Sequence, residues 1–302
     1  MNPKCENLFT KSRPKTLGGR IIQFPLTRIV LSLLFIAPIS VINNLLAINI
    51  IETLPQPYST ILQNITSVIY FFLFLYAYRL YTKYIEKREA YEISRDNSLK
   101  EIGFGFLISS LMVAVIVILL TILSFYRIDD FNDESIIINA FILFGMGAFV
   151  QELLVRGILF RIVEEILGSW ITIIVVTSTF GLIHIFNENA TPFTIVSLII
   201  SDILYCAAFI YTKRIWMVWG LHFGWNFFQD GIFGMPNSGI SNLPSWINSS
   251  VNGPEWITGG SWGIEASLFS ILLSIILGIV ILKKAWDKEL FVSPYWKRKY
   301  LK

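Results

Sequence analysis

The sequence predicts an all-α, polytopic membrane protein: about eight transmembrane helices in one bundle around an intramembrane polar cavity. Three observations carry the prediction. Of 302 residues, 54% are hydrophobic and only 15% are charged, too apolar a balance for a water-soluble domain. Apolar runs of about 20 residues, enough to span the hydrocarbon core, recur along the whole chain. Lys and Arg gather in alternate connections, as they do on the cytoplasmic side of membrane proteins.

The first span is expected at about 28–50, after a basic stretch with Lys4, Lys11, Arg13, Lys15 and Arg20. Its apolar run exceeds a usual signal-peptide core and lacks a small-residue cleavage site, so it reads as a retained span. The second is expected at about 59–81 and the third at about 101–125, joined by a charged stretch, 82–100, with Lys83, Lys87, Arg88, Arg95 and Lys100. An acidic connection follows, where Asp129, Asp130, Asp133 and Glu134 outnumber Arg127. The fourth and fifth spans fall at about 135–160 and 170–187, the sixth at about 193–212 and the seventh at about 215–233, with Arg161, Lys213 and Arg214 in the basic set. The connection 234–261 holds Pro236, Pro244, Pro254, Trp246 and Trp256, with Trp262 just after it, a mixture suited to an interfacial connector or lid with its indoles at the headgroups. The eighth span is expected at about 262–283, before the basic tail Lys283 to Lys302. This distribution places both termini in the cytoplasm and the protein in the cell membrane, in contact with lipid.

No internal repeat, low-complexity tract or long linker divides the chain, so 1–302 reads as a single membrane domain. The net charge of +3 reports topology, not a nucleic-acid partner. Cys5 is expected in the cytoplasm and Cys206 in the sixth span, which leaves no disulfide framework.

The chain has two histidines, and both fall inside apolar segments. His184 ends Phe180-Gly181-Leu182-Ile183-His184, His222 opens His222-Phe223-Gly224-Trp225-Asn226, and upstream lies Gln151-Glu152-Leu153-Leu154-Val155-Arg156. An ionisable side chain at the bilayer centre costs about 3 kcal/mol or more, so each requires a reason. Residues four apart share a helix face, which pairs Glu152 with Arg156, Phe180 with His184 and His222 with Asn226. Taken alone, Glu152 and Arg156 read equally well as a packing clamp. The glycines beside each histidine permit close helix approach, and three polar sites on separate helices point to one reaction centre. Two chemistries fit it. In one, a carboxylate and a histidine activate water while the other histidine and an amide stabilise the oxyanion. In the other, Glu152, His184 and His222 bind zinc and leave a position for water. No His-Glu-x-x-His element supports zinc, and no carboxylate in the flanking sequence orients the imidazoles.

These motifs resemble the CPBP family, the CAAX-protease and bacteriocin-processing (Abi) intramembrane endopeptidases. The signature Glu-Glu-x-x-x-Arg, Phe-x-x-x-His and His-x-x-x-Asn/Asp matches here as Gln151-Glu152-x-x-x-Arg156, Phe180-x-x-x-His184 and His222-x-x-x-Asn226, in order. The likeness covers about 135–238. It implies a helical bundle that hydrolyses a membrane-associated or lipidated peptide without a cofactor. By resemblance, residue 151 and His184 orient the attacking water, His222 and Asn226 form the oxyanion hole, and Glu152 and Arg156 support them. The departure is Gln151, since a carboxamide cannot take the water's proton. Three readings follow: an inactivated form of a protease, a pseudoprotease that binds without cutting, or an enzyme in which Glu152 serves as base. The first is favoured. The rival from another class is a non-catalytic immunity or scaffold protein that binds such a peptide. A transporter is disfavoured by the lack of repeats and of Gly/Pro-broken paired helices.

Overall fold

The computed structural model describes residues 3–9, 14, 16–240, 243 and 245–298. Lys11, Arg13, Lys15, Pro244 and Lys302 lie outside the described residues, as does the side chain of Lys4. Short α1 (Pro3–Glu6) and α2 (Leu17–Ile22) precede the long helices α3 (Pro25–Asn49), α4 (Tyr58–Tyr84) and α5 (Ser98–Ile122). Strand β1 (Tyr126–Phe131) leads into α6 (Ser135–Glu152), which continues through a π-helical turn, Leu153–Phe160, into α7 (Arg161–Ile183). Next come α8 (Pro192–Thr212), α9 (Trp216–Asn226) with a second π-helical turn, Phe227–Ile232, strand β2 (Ile247–Val251), short α10 (Glu255–Thr258) and α11 (Leu268–Asp287).

Among the described residues, six helices are long and apolar enough to cross a membrane, where eight spans were expected. The difference has two sources. The expected fourth and fifth spans are one continuous apolar run, Ser135–Phe186, of 52 residues. At 1.5 Å per residue a straight run of that length would be about 78 Å, more than twice the hydrocarbon thickness. The run breaks at Gly168, whose φ of 74° suits glycine. The expected seventh span is the short α9 with its π turn, and most of α9 is buried in the bundle.

Lipid exposure explains the composition. Helices α3 and α4 present Leu34, Ile42, Ile61 and Phe72 outward, all more than half exposed. Such side chains cost nothing facing acyl chains. Inside, α9 lies against α5 at a crossing made of glycine. A Cβ at Gly105 would sit 2.8 Å from the Leu221 nitrogen, and one at Gly220 would sit 2.9 Å from the Phe106 nitrogen. No larger residue lets these backbones approach so closely, and the crossing fixes the helix that carries His222.

Both ends of the described chain meet at one end of the bundle. Cys5 Sγ contacts the Leu290 carbonyl at 3.4 Å, and Arg161 Nη1 donates to the Leu8 carbonyl at 3.3 Å. The stretch 82–100, read from sequence as a charged loop, is partly internal there. Glu86 is fully buried and accepts from Arg161 at 2.6 and 2.7 Å and from Arg88 at 2.8 Å, and Arg28 lies 3.3 Å away. Arg88 also pairs with Glu92 at 2.6 Å. Arg88 and Arg161, two of the basic residues that mark topology in the sequence, are therefore buried in ion pairs, while Lys83, Lys87, Arg95 and Lys100 are exposed.

The opposite end adds one short two-stranded sheet to the helical bundle. Strands β1 and β2 pair antiparallel, with a register shift between Ile128 and Asp130. In the connection before α11, Trp262 is buried against Ile195, Leu198 and Ala266, while Trp256 remains exposed.

Candidate active site

A cavity of about 330 Å³ opens inside the bundle, lined among others by Gln151, Glu152, His184, His222 and Asn226. Three separated motifs thus meet at one site. The two flanking π-helical turns follow Glu152 and Asn226 directly. Such turns alter which residues face inward and often mark functional sites.

At the deep end, His222 Nδ1 lies 2.7 Å from Glu152 Oε1. A carboxylate can only accept, so the imidazole donates through Nδ1. Arg156 Nη1 reaches Glu152 Oε1 at 3.4 Å and Oε2 at 3.2 Å, and its Nη2 pairs closely with Asp202. The guanidinium also lies 5.6 Å from the ring centres of Phe180 and Tyr205. Glu152 and Arg156 are 0% exposed and Asp202 is 2% exposed. A buried charge is tolerated only with a partner, and the chain Asp202, Arg156, Glu152, His222 supplies one at each step.

The other imidazole is held differently. His184 Nδ1 donates to the Phe180 carbonyl at 2.7 Å, one helical turn back, with the two rings 4.7 Å apart. In the neutral ring this leaves Nε2 without a hydrogen, able to accept a proton. Gln151 sits beside buried Glu152 in sequence yet is itself exposed at the cavity wall.

All six residues singled out from sequence fall at or beside this cavity, Arg156 standing behind Glu152. Three others were missed. Asp202 lies in the middle of the sixth expected span, so Glu152 and Arg156 are not the only charged side chains at that depth. Asp230 and Glu265 line the cavity as well. The signal for Asp202 was the same one that flagged Glu152, an acid within a long apolar run. The orienting carboxylate absent from the sequence flanking His222 is Glu152, which arrives from a helix 70 positions away. Among the described residues no three His, Cys, Asp or Glu side chains are grouped as a metal ion needs, Glu152, His184 and His222 included.

Fold and site together define a multi-pass, α-helical membrane protein with a polar cavity lined by histidine, carboxylate and amide. Residues 133–228 match the family model of Rce1-like proteins, described as type II CAAX prenyl endopeptidase Rce1-like, which supports the resemblance that the motifs of this segment carry. No curated protein and no solved structure matches the chain.

Proposed function

We propose that the cavity is a peptide-hydrolase site for a membrane-associated or lipidated peptide, and that Gln151 leaves its cleavage step impaired. The observation that carries this is the meeting of Gln151, Glu152, His184, His222 and Asn226 on one cavity within the bundle. Water would lie between residue 151 and His184, donating one hydrogen bond to His184 Nε2 and giving its other proton to a carboxylate at 151 as the oxygen attacks the peptide carbonyl carbon, the transfer that Gln151 cannot perform. The oxyanion would receive hydrogen bonds from Asn226 and from His222 Nε2. Because His222 Nδ1 already faces Glu152, the ring donates through Nε2 only when the Glu152–His222 pair holds a second proton. The proton taken from the water can then pass to the departing amine, which returns the site to its starting state.

The geometry argues against Glu152 as a substitute base. One oxygen accepts from His222, both lie within reach of Arg156, and the residue is fully buried. Gln151 likewise favours the second reading, a site that binds a peptide and holds it uncut. A photoreactive residue replacing Leu143, at the cavity wall, should capture a membrane-inserted peptide. Equal capture from Ile174, on the exposed face of α7, would sink the binding role.

A further inference from the structure

The cavity has two acidic ends, and only one of them is neutralised. At the deep end Arg156 stands between Glu152 and Asp202. Toward the strands, Asp230 and Glu265 line the same cavity, 4% and 6% exposed, and no Lys or Arg is among the described residues that line it. Glu265 accepts from the Gln229 side chain and from the Ser238 backbone N–H, both closely. Gln229 precedes Asp230, so this bond ties the two acids to one corner. No donor reaches Asp230 Oδ2. A second, independent observation is the hydroxyl of Ser270, 1% exposed at the start of α11, which lines the cavity and also lacks a partner.

Buried acceptors without donors are costly, and a buried carboxylate without a counter-charge costs several kcal/mol. The corner therefore suits a cation with several N–H donors. An ammonium offers three and a guanidinium five. We infer that Asp230, Glu265 and Ser270 form a subsite for a cationic side chain, lysine or arginine, of the peptide held in the cavity. The inference rests on the peptide-binding reading of this cavity and specifies the substrate class. Asp230 also borders a recess of about 680 Å³ beneath β2, so a long side chain can enter from the strand end.

The groups facing the corner across the cavity are Glu152, His184, Asp202, Tyr205 and His222. Glu265 lies in the turn before α11, and burial pushes its carboxyl up to about 7, against the opposing pull of the bonds from Gln229 and Ser238. Cation binding should weaken as pH falls through that value, because the protonated carboxyl is neutral.

The test uses full-length protein in lipid nanodiscs. It is titrated with an apolar peptide bearing one lysine, with its norleucine isostere, and separately with dodecylammonium and dodecanol. The lysine peptide should bind at least tenfold more tightly than the isostere at pH 8, and the ratio should shrink at pH 6. Asp230→Asn and Glu265→Gln should each bring it toward one, and Asp230→Asn is decisive if Glu265→Gln fails to fold. Equal affinities for the two peptides overturn the subsite. If neither peptide binds, the peptide reading fails. The subsite then stands if dodecylammonium still outcompetes dodecanol in an Asp230-dependent way, and falls if it does not.

Discussion

Restoring a carboxylate at position 151 is the most direct test of how this site works. Gln151→Glu changes one NH₂ to an oxygen, so it alters neither shape nor volume. The side chain lines the cavity and is not packed against neighbours as Glu152 is, so the new carboxylate faces the cavity. Its partner is in place, since His184 is fixed through Nδ1 at 2.7 Å with Nε2 left to accept. The neighbouring charge of Glu152 is already engaged by Arg156 at 3.2 Å and His222 at 2.7 Å. Nothing in the geometry discounts the usual worth of a general base, about 100- to 10,000-fold, or about 2.7 to 5.4 kcal/mol of barrier. Single-turnover cleavage of membrane-anchored peptides in proteoliposomes, read by mass spectrometry, should rise by at least 100-fold while peptide affinity stays level. Equal rates for the two proteins would refute the assignment of residue 151 and move the base to Glu152.

Other expectations follow from the same coordinates. In the restored protein, His222→Ala or Asn226→Ala should lower turnover by about 100-fold or more with peptide affinity little changed, because oxyanion donors act on the transition state; a parallel loss of affinity would contradict that role. Glu86→Ala should cost about 3–5 kcal/mol in an unfolding titration, since it leaves the Arg28, Arg88 and Arg161 guanidiniums facing an empty position. Burial alone would raise the Glu86 carboxyl, but Arg161, Arg88 and Arg28 outweigh it and bring it from an ordinary 4.5 to about 2. That contribution is complete above pH 4.5, is lost as pH falls toward 2, and is worth about 3 kcal/mol; an acid-unfolding curve unchanged by Glu86→Gln would contradict it. A cysteine probe at Ser94 should react only from the cytoplasmic side, and labelling from outside intact cells would reverse the proposed orientation.

The bundle and most of the site were legible in the sequence because both rest on local rules. Apolar runs of spanning length gave the helices, and the i, i+4 spacing placed Arg156 against Glu152 and Phe180 against His184 before any coordinates. The glycines near His222 anticipated the close α5–α9 crossing, although the partner helix was not readable. What escaped depends on contacts distant in sequence. The β1–β2 pair joins segments more than a hundred residues apart, and Tyr126-Arg-Ile-Asp-Asp-Phe and Ile-Asn-Ser-Ser-Val carry too many polar residues to announce strands. Trp262 resembled an interfacial anchor because a tryptophan beside a span usually is one, yet here a loop folds it into the interior. Asp202 could have been found, since an acid in the centre of an apolar run needs a reason wherever it occurs.

Two of the buried ion networks among the described residues separate packing from chemistry. At the end where the termini meet, Arg28, Glu86, Arg88, Glu92 and Arg161 satisfy one another among packed side chains and tie three segments together. This is what a clamp requires, and it leaves the bundle little need for a second one. The network at the cavity has a different form. It begins at Asp202, passes through Arg156 and Glu152, and ends on an imidazole that lines open space. A clamp gains nothing from ending on a titratable ring beside a cavity, because a polar wall there weakens packing. The arrangement does suit a histidine that must hold one orientation while its proton inventory changes, since Glu152 fixes Nδ1 and Arg156 holds Glu152. Arg156→Met should therefore act on both levels: it removes a buried charge partner, and it frees Glu152 to turn away from His222. Loss of stability with unchanged turnover in the folded fraction would show that this network, too, is only a clamp.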